Sequence, residues 1–285
     1  MDKFENFINQ ILEEANNLSI PEFEDYSPNE MQYILNNPFE ENSPVGLLRL
    51  SESDYDDIPI LNQIKYLLRI IENNGELKLT ANGFLPVKVV SDIYNRGFIK
   101  DDLIESGISK LYKETDSITI NLTRILAELS GVVKKRKGKL SLTKKGKIHL
   151  NDNHELLKDI FTTIAMQLNW AYFDLYESED IGQIGLGFTL ILLNKYGGKK
   201  RLDSFYSGKY FKAFPELLED IKPTEYETVI DYAQMCYSLR TFDRFLDYLG
   251  LIKIEKKKGL KAGKYVIKTE LFDKLIKIKP PAKLK

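Results

Sequence analysis

Apolar residues fall at helical spacing from the start of the chain. Phe4, Phe7, Ile8, Ile11 and Leu12 predict an amphipathic helix over 3–16. A second helix is expected to begin in SPNEMQYIL, with Ser27 as N-cap, Pro28 as the first helical residue and Glu30 closing a capping box. Pro38 and Pro44 then interrupt the pattern, and SESDYDD (51–57) reads as an acidic turn or linker. Asp54, Asp56 and Asp57 lack the regular spacing, the Gly and the terminal Glu of a calcium loop, so a solvated linker is the expected role.

From residue 60 the stripe Ile60, Leu61, Ile64, Leu67, Leu68 and Ile71 predicts a helix that stops at Asn73-Asn74-Gly75. LPVKVVSDIYNRG predicts the next, with Pro86 near its start and Gly97 at its end. SITINLTRILAELSG (117–131) predicts another, with Leu122, Ile125, Leu126 and Leu129 facing inward. VVKKRKGKLSL then alternates and turns at Lys137-Gly138, the pattern of a β-hairpin, and Thr143 is positioned to cap a helix through Leu150. Two nonapeptides nearly coincide, GELKLTANG (75–83) and GKLSLTKKG (138–146), both G-x-L-x-L-T-x-x-G. Leu-x-Leu places two side chains on one face of a strand. The second copy is read as the return strand of a hairpin, and the first as a core strand.

Residues 153–176 read as helical and mostly buried, with Trp170, Tyr172 and Phe173 as core candidates. IGQIGLGF (181–188) leads into an apolar helix, and LRTFDRFLDYLGLIKIEKKKGLKAGKYVIKT (239–269) repeats the earlier helix–hairpin design. There Arg244, Phe245, Leu246, Leu249, Gly250, Leu251 and Ile252 echo Arg124, Ile125, Leu126, Leu129, Gly131, Val132 and Val133. The expected fold is therefore mainly α with small β-hairpins (α+β). It has tandem winged-helix-like units and a helical N-terminal extension. The expected boundaries are 1–58 for an acidic extension, 59–151 and 152–278 for two winged-helix-like domains, and 279–285 for a basic tail.

Composition narrows the class. Hydrophobic residues at 43% and charged residues at 29% suit a soluble globular chain, and no apolar run reaches the roughly 18–20 residues of a membrane span. Acids interleave the apolar residues of the first segment, so no signal peptide is expected there. The lone Cys236 excludes an internal disulfide framework and suits a cytoplasmic location. The net charge of −1 conceals an asymmetry: residues 1–60 carry 14 acids and 2 bases (−12), and residues 61–285 carry 28 acids and 39 bases (+11). Such a division suggests that the acidic segment folds over a basic surface and competes with a polyanion there.

The basic surface is concentrated. Lys134, Lys135, Arg136, Lys137, Lys139, Lys144, Lys145 and Lys147 lie within fourteen residues that contain no acid, enough to neutralise several phosphates. Base readout would fall to the preceding helix, where Asn121, Thr123 and Arg124, with Glu128, are expected on the exposed face. The bland alternative is a lysine-rich hairpin that merely resists edge pairing. The second hairpin carries Lys253, Lys256, Lys257, Lys258, Lys261 and Lys264, but Arg240, Asp243, Arg244 and Asp247 face outward from its helix, which suits a polyanion less. The C-terminal Lys277, Lys279, Lys283 and Lys285 are expected to be solvated.

Catalytic readings are weaker. His149 and His154 have no partners at metal-ligand spacing, and Cys236 reads as a small buried hydrophobe. GQIGLG (182–187) matches no phosphate-binding glycine motif and reads as a turn. Glu255-Lys256-Lys257 only faintly suggests a nuclease strand. Phe205, Phe211 and Phe214 read as core or interface residues rather than as a base-stacking platform. No enzyme activity, metal or cofactor is expected.

At SPNEMQYILNNPF, GELKLTANGFLPVKVV, LSGVVKKRKGKLSLTKKGK and LNWAYFDLY the chain resembles a group of uncharacterised bacterial proteins. Those proteins are sometimes linked to plasmid pRiA4b ORF-3-like or SEC-C domains. Neither module is evident here, and the group brings no site residues. The L-T-x-K-G segment, Leu142 to Gly146, is similar to the segment after the wing in winged-helix regulators of the MarR type. These readings converge on a non-catalytic DNA-binding or regulatory protein that contacts duplex DNA through helix 121–130 and hairpin 132–147. The alternative is a protein-interaction scaffold, acting on a partner chain or as a homodimer. No membrane association is expected.

Overall fold

The computed structural model describes residues 2–174, 176–219, 221–222, 227–256 and 263–282. The chain is mainly α with small antiparallel sheets, and it forms two compact units. The first comprises Met1–Leu48, Tyr176–Asp247 and Leu251–Lys285; the second comprises Arg49–Leu175 with Tyr248–Gly250. These divisions differ from the expected boundaries. The acidic segment is no separate extension, because residues 1–48 belong to the first unit.

In chain order, the N-terminal part of the first unit gives α1 (Asp2–Asn16), α2 (Pro28–Asn36) and β1 (Val45–Leu47). The predicted capping box of α2 is present: Glu30 N–H donates to Ser27 Oγ, and Ser27 N–H donates to the Glu30 carboxylate. Helix α1 has the predicted apolar spacing, yet Phe4, Phe7, Ile8, Ile11 and Leu12 are all exposed.

The second unit contributes α3 (Glu52–Tyr55), α4 (Pro59–Asn74), β2 (Leu77–Lys78), α5 (Val87–Asn95), α6 (Asp102–Glu105) and α7 (Ile118–Leu129). It continues with β3 (Val133–Arg136), β4 (Lys139–Leu142), α8 (Lys144–His149) and α9 (Asn153–Met166). The expected linker at 51–57 instead forms the short α3, anchored by the buried Tyr55, whose hydroxyl accepts from Leu50 N–H at 3.1 Å. All six stripe residues of α4 are fully buried. Each such aliphatic side chain contributes roughly 1.5–3 kcal/mol on burial. Helix α9 ends at Met166, earlier than predicted; Trp170 is buried and donates to the Ile164 carbonyl, but Tyr172 is 61% exposed.

The three strands of this unit form one antiparallel sheet in the order β2-β4-β3. The two matching nonapeptides are thus neighbours, with Leu77 opposite Leu140 and Lys78 opposite Lys139. Leu77, Leu79, Leu140 and Leu142 turn inward beneath the helices. The glycines that end the two nonapeptides serve different ends. Gly83 adopts φ +80°, while at Gly146 a Cβ would stand 1.9 Å from the Val132 carbonyl oxygen, so only glycine lets α8 approach β3.

The rest of the first unit follows a similar order without a counterpart of α6. It runs α10 (Leu186–Tyr196), β5 (Arg201–Leu202), α11 (Asp203–Ala213), α12 (Val229–Ser238), β6 (Ile252–Lys256), β7 (Lys264–Lys268), α13 (Glu270–Leu275) and β8 (Ile276–Ile278). Here too the hairpin recruits a two-residue strand, giving the order β5-β7-β6. Thr269 caps α13 as Thr143 caps α8. Helix α12 runs on into a π-helical stretch, Leu239–Leu246. Strand β8 pairs with β1, and Lys279 continues that attachment by donating its N–H to the Pro44 carbonyl. The buried Glu24 carboxylate accepts from Lys195 Nζ, Lys209 Nζ and Tyr196 Oη at 2.7, 2.6 and 2.6 Å, which ties the N-terminal segment to α10 and α11.

Candidate nucleic-acid interface

Helix α7 starts at the Ser117 N-cap and packs against α4, α5, α9 and β3. Enclosed on so many sides, it buries residues all round rather than along one stripe. Asn121, Thr123 and Arg124, expected on its exposed face, are only 5%, 0% and 8% exposed. The partner of Asn121 and Arg124 is an acid ten residues or fewer upstream. Glu114 is fully buried, and its carboxylate accepts from Asn121 Nδ2 at 2.7 Å, Arg124 Nε at 2.7 Å and Leu85 N–H at 2.6 Å. Arg124 also pairs with Glu128. Burial works against the Arg124 charge, but the hydrogen bond and attraction of Glu114, seconded by Glu128, outweigh it and hold its pKa above the ordinary arginine range. Thr123 Oγ1 donates to the Thr119 carbonyl and accepts from the buried Gln63 Nε2, both at 2.7 Å. Leu129, expected to face inward, is 42% exposed instead. The polar residues of α7 are committed inside the fold, so the helix offers no free face for reading bases in this conformation.

The hairpin differs. Lys134, Lys135, Arg136, Lys137, Lys139, Lys144, Lys145 and Lys147 are all exposed. Lys137 and Gly138 make its two-residue turn with φ of +49° and +70°, the positive pair of a type I′ turn. Three cations have partners: Lys139 Nζ lies 2.6 Å from Glu76, Lys145 Nζ 2.8 Å from Asp159, and Lys135 Nζ 3.4 Å from the Gly83 carbonyl oxygen. Among the described residues, the side chains of Lys134, Arg136, Lys137, Lys144 and Lys147 make no ion pair or hydrogen bond. Asp159 also meets His149 Nδ1 at 2.6 Å, so α8 is fastened to α9 through residues one turn apart.

The second hairpin spends Lys264 and Lys268 internally, while Lys253 is exposed and makes no ion pair or hydrogen bond among the described residues. Lys264 pairs with Asp243, Lys200 with Glu255, and Lys268 with Asp273. Arg240, expected to face outward, is 1% exposed and donates to the Ile181 carbonyl at 3.1 Å. Arg244 is half-buried. Lys257, Lys258, Lys261, Lys283 and Lys285 lie outside the described residues.

The remaining candidates serve packing. Cys236 is buried in α12. In GQIGLG, Gly182 and Gly185 adopt φ of +87° and +73°. The Gly182 N–H donates to Tyr210 Oη, and at Gly187 a Cβ would stand 2.9 Å from Ile34 Cγ2. Phe211 and Phe214 are buried and Phe205 is half-buried. Sequence reading missed Glu114 and Gln63, which meet α7 only in three dimensions. It also missed Lys78, whose alternation with Leu77 and Leu79 was its one signal.

A family model described as the Y4jL N-terminal domain matches residues 56–155. The match falls within the second unit, from the approach to α4 through the start of α9, and contains both nonapeptides and the basic hairpin. Neither a curated protein nor a solved structure matches the chain. Over 56–155, then, the chain is similar to the Y4jL N-terminal domain.

Proposed function

We propose that this chain is a non-catalytic nucleic-acid-binding protein whose second unit holds the phosphate backbone through its basic hairpin and α8. The observation that carries the reading is the set of six cations on 134–147 that have no acidic partner, five of them with no polar partner at all among the described residues, beside a helix whose polar residues are all consumed internally. The order helix, strand, three helices and hairpin, with the short α6 among the three and the lone strand beside the return strand, supports a winged-helix-like unit. Phosphate contacts give orientation and salt-dependent affinity without sequence information. Asn121, Thr123 and Arg124, bonded inside the fold, take no part in this interface.

The test is a titration of the full chain against mixed duplex DNA at two salt concentrations. Replacing Lys134, Lys135, Arg136 and Lys137 by Ala should weaken binding and flatten the salt slope by about 1 per lost phosphate contact. No binding by the unaltered chain at about 50 mM salt, where phosphate contacts are strongest, would overturn the reading.

The exposed apolar stripe of α1 favours a second reading, a protein-interaction role. Concentration-dependent association of the full chain that Phe7→Ser with Ile11→Ser abolishes would support it, and an unchanged monomer would count against self-association.

A further inference from the structure

We propose that duplex DNA docks on the outer face of the β2-β4-β3 sheet, across a row formed by Lys78, Lys139 and Arg136 and flanked by Lys134. This inference rests on the phosphate-binding reading above and names its surface and its ligand class. Directly opposed residues in antiparallel strands point to the same side of a sheet. The register sets Lys78 against Lys139 and Lys139 against Arg136, while Leu77, Leu140 and Lys135 take the opposite side. Lys134, opposite Ser141, extends the outer face by one more cation. Lys78 comes from a strand some sixty residues earlier in the chain, and its ammonium makes no ion pair among the described residues.

Like charges placed directly opposite each other on a sheet cost stability. Here two such pairs are contiguous, and Glu76 offers a carboxylate to only one of the three cations. That ion pair joins two side chains at least half exposed, so it is weak and releases Lys139 readily. A bound polyanion would remove the repulsion altogether. Strands about 4.8 Å apart make the row about 10 Å wide, comparable to a groove of B-DNA at about 12 Å, so long side chains at its ends can reach phosphates on both lips. The sheet residues 77–79 and 133–142 contain no Phe, Tyr, Trp or His on which unpaired bases could stack, which favours a duplex over a single strand.

The experiment uses the full chain and a fluorescently labelled mixed-sequence duplex of about 20 base pairs, long enough to cover the row. Affinity is measured across salt for the unaltered chain, Lys78→Ala, Arg136→Ala and a control, Lys88→Ala, on the exposed side of α5. Lys78→Ala and Arg136→Ala should each weaken binding several-fold near 0.1 M salt and lower the slope by about 1, with Lys88→Ala unchanged. All three variants alter exposed residues, and unchanged thermal melts would confirm that they fold. If Lys78→Ala keeps the native slope while the fourfold hairpin variant loses binding, sheet-face docking is wrong and the phosphate-binding reading stands. If the unaltered chain binds no duplex, both fail. Tighter binding to a single strand of equal length would also overturn the duplex assignment.

Discussion

At the scale of single residues, the buried carboxylates Glu114 and Glu24 each tie separate segments of the fold together. Glu114 has no exposed surface, and its charge is met by Arg124, Asn121 and the Leu85 amide. Removing one member of such a pair leaves the other charge buried without a partner, a loss of about 3–5 kcal/mol. Glu114→Ala is therefore expected to destabilise the second unit by that order in denaturant unfolding, and a loss below about 1 kcal/mol would contradict the role assigned to the network. In the first unit, burial opposes ionisation of Glu24, but Lys195, Lys209 and Tyr196 outweigh it and hold its pKa below the usual carboxylate range. A depressed folded-state pKa contributes stability that is present above the unfolded value, near 4.3, and lost as pH falls through the folded value. Glu24→Gln should therefore be less stable than the native chain at pH 7, with the gap closing below about pH 4. A gap constant with pH would contradict the clasp. The sequence shows the helix-period pattern around Asn121 and Arg124 but not Glu114's place beside them. Polar positions on a periodic helix look exposed unless the partner that buries them is also known.

At the scale of elements, the helices with strong stripes and caps were legible, as was the strand at Leu77-Lys78, whereas β5 and the pairing of these short strands with their hairpins were not. Ser27, Pro28 and Glu30 fix α2 by local chemistry alone, and the Ile60–Ile71 stripe fixes α4. The Leu77-Lys78-Leu79 alternation marks β2 as a strand but not its place beside β4, and no local signal distinguishes Arg201-Leu202 from a loop. The hairpin at 133–142 was legible in both strands and turn, yet the stacking of Arg136 on the same face as Lys139 and Lys78 follows only from register. That register yields a prediction with two readouts. Arg136→Glu replaces a repulsive cross-strand pair by an attractive one, worth about 0.2–1 kcal/mol, and should leave the melting temperature equal or higher. The same change should weaken duplex binding more than Arg136→Ala does. A variant that binds as the native chain does would dissociate the row from the ligand.

At the scale of the whole molecule, both units set a short strand beside a hairpin that follows helices, and the second unit displays the larger set of unpaired cations, since on the described part of the other hairpin Lys253 alone is exposed without a partner. The acidic front of the chain is built into the first unit through Glu24, α2 and the β1–β8 pair. Deleting residues 1–58 would therefore remove part of that unit's core, and any change in DNA affinity would not report competition by a detachable acidic arm. The similarity to the Y4jL N-terminal domain lies within the second unit, where the cations are. The central claim is that this unit holds phosphate without reading bases. Its most direct test is the affinity of the full chain for a panel of unrelated duplexes of equal length at one moderate salt concentration. The account predicts dissociation constants within about fivefold of one another, since no base-edge contact contributes the 1–3 kcal/mol that each discriminating pair supplies. One sequence bound a hundredfold or more tighter than the rest, or no duplex bound at all, would contradict it.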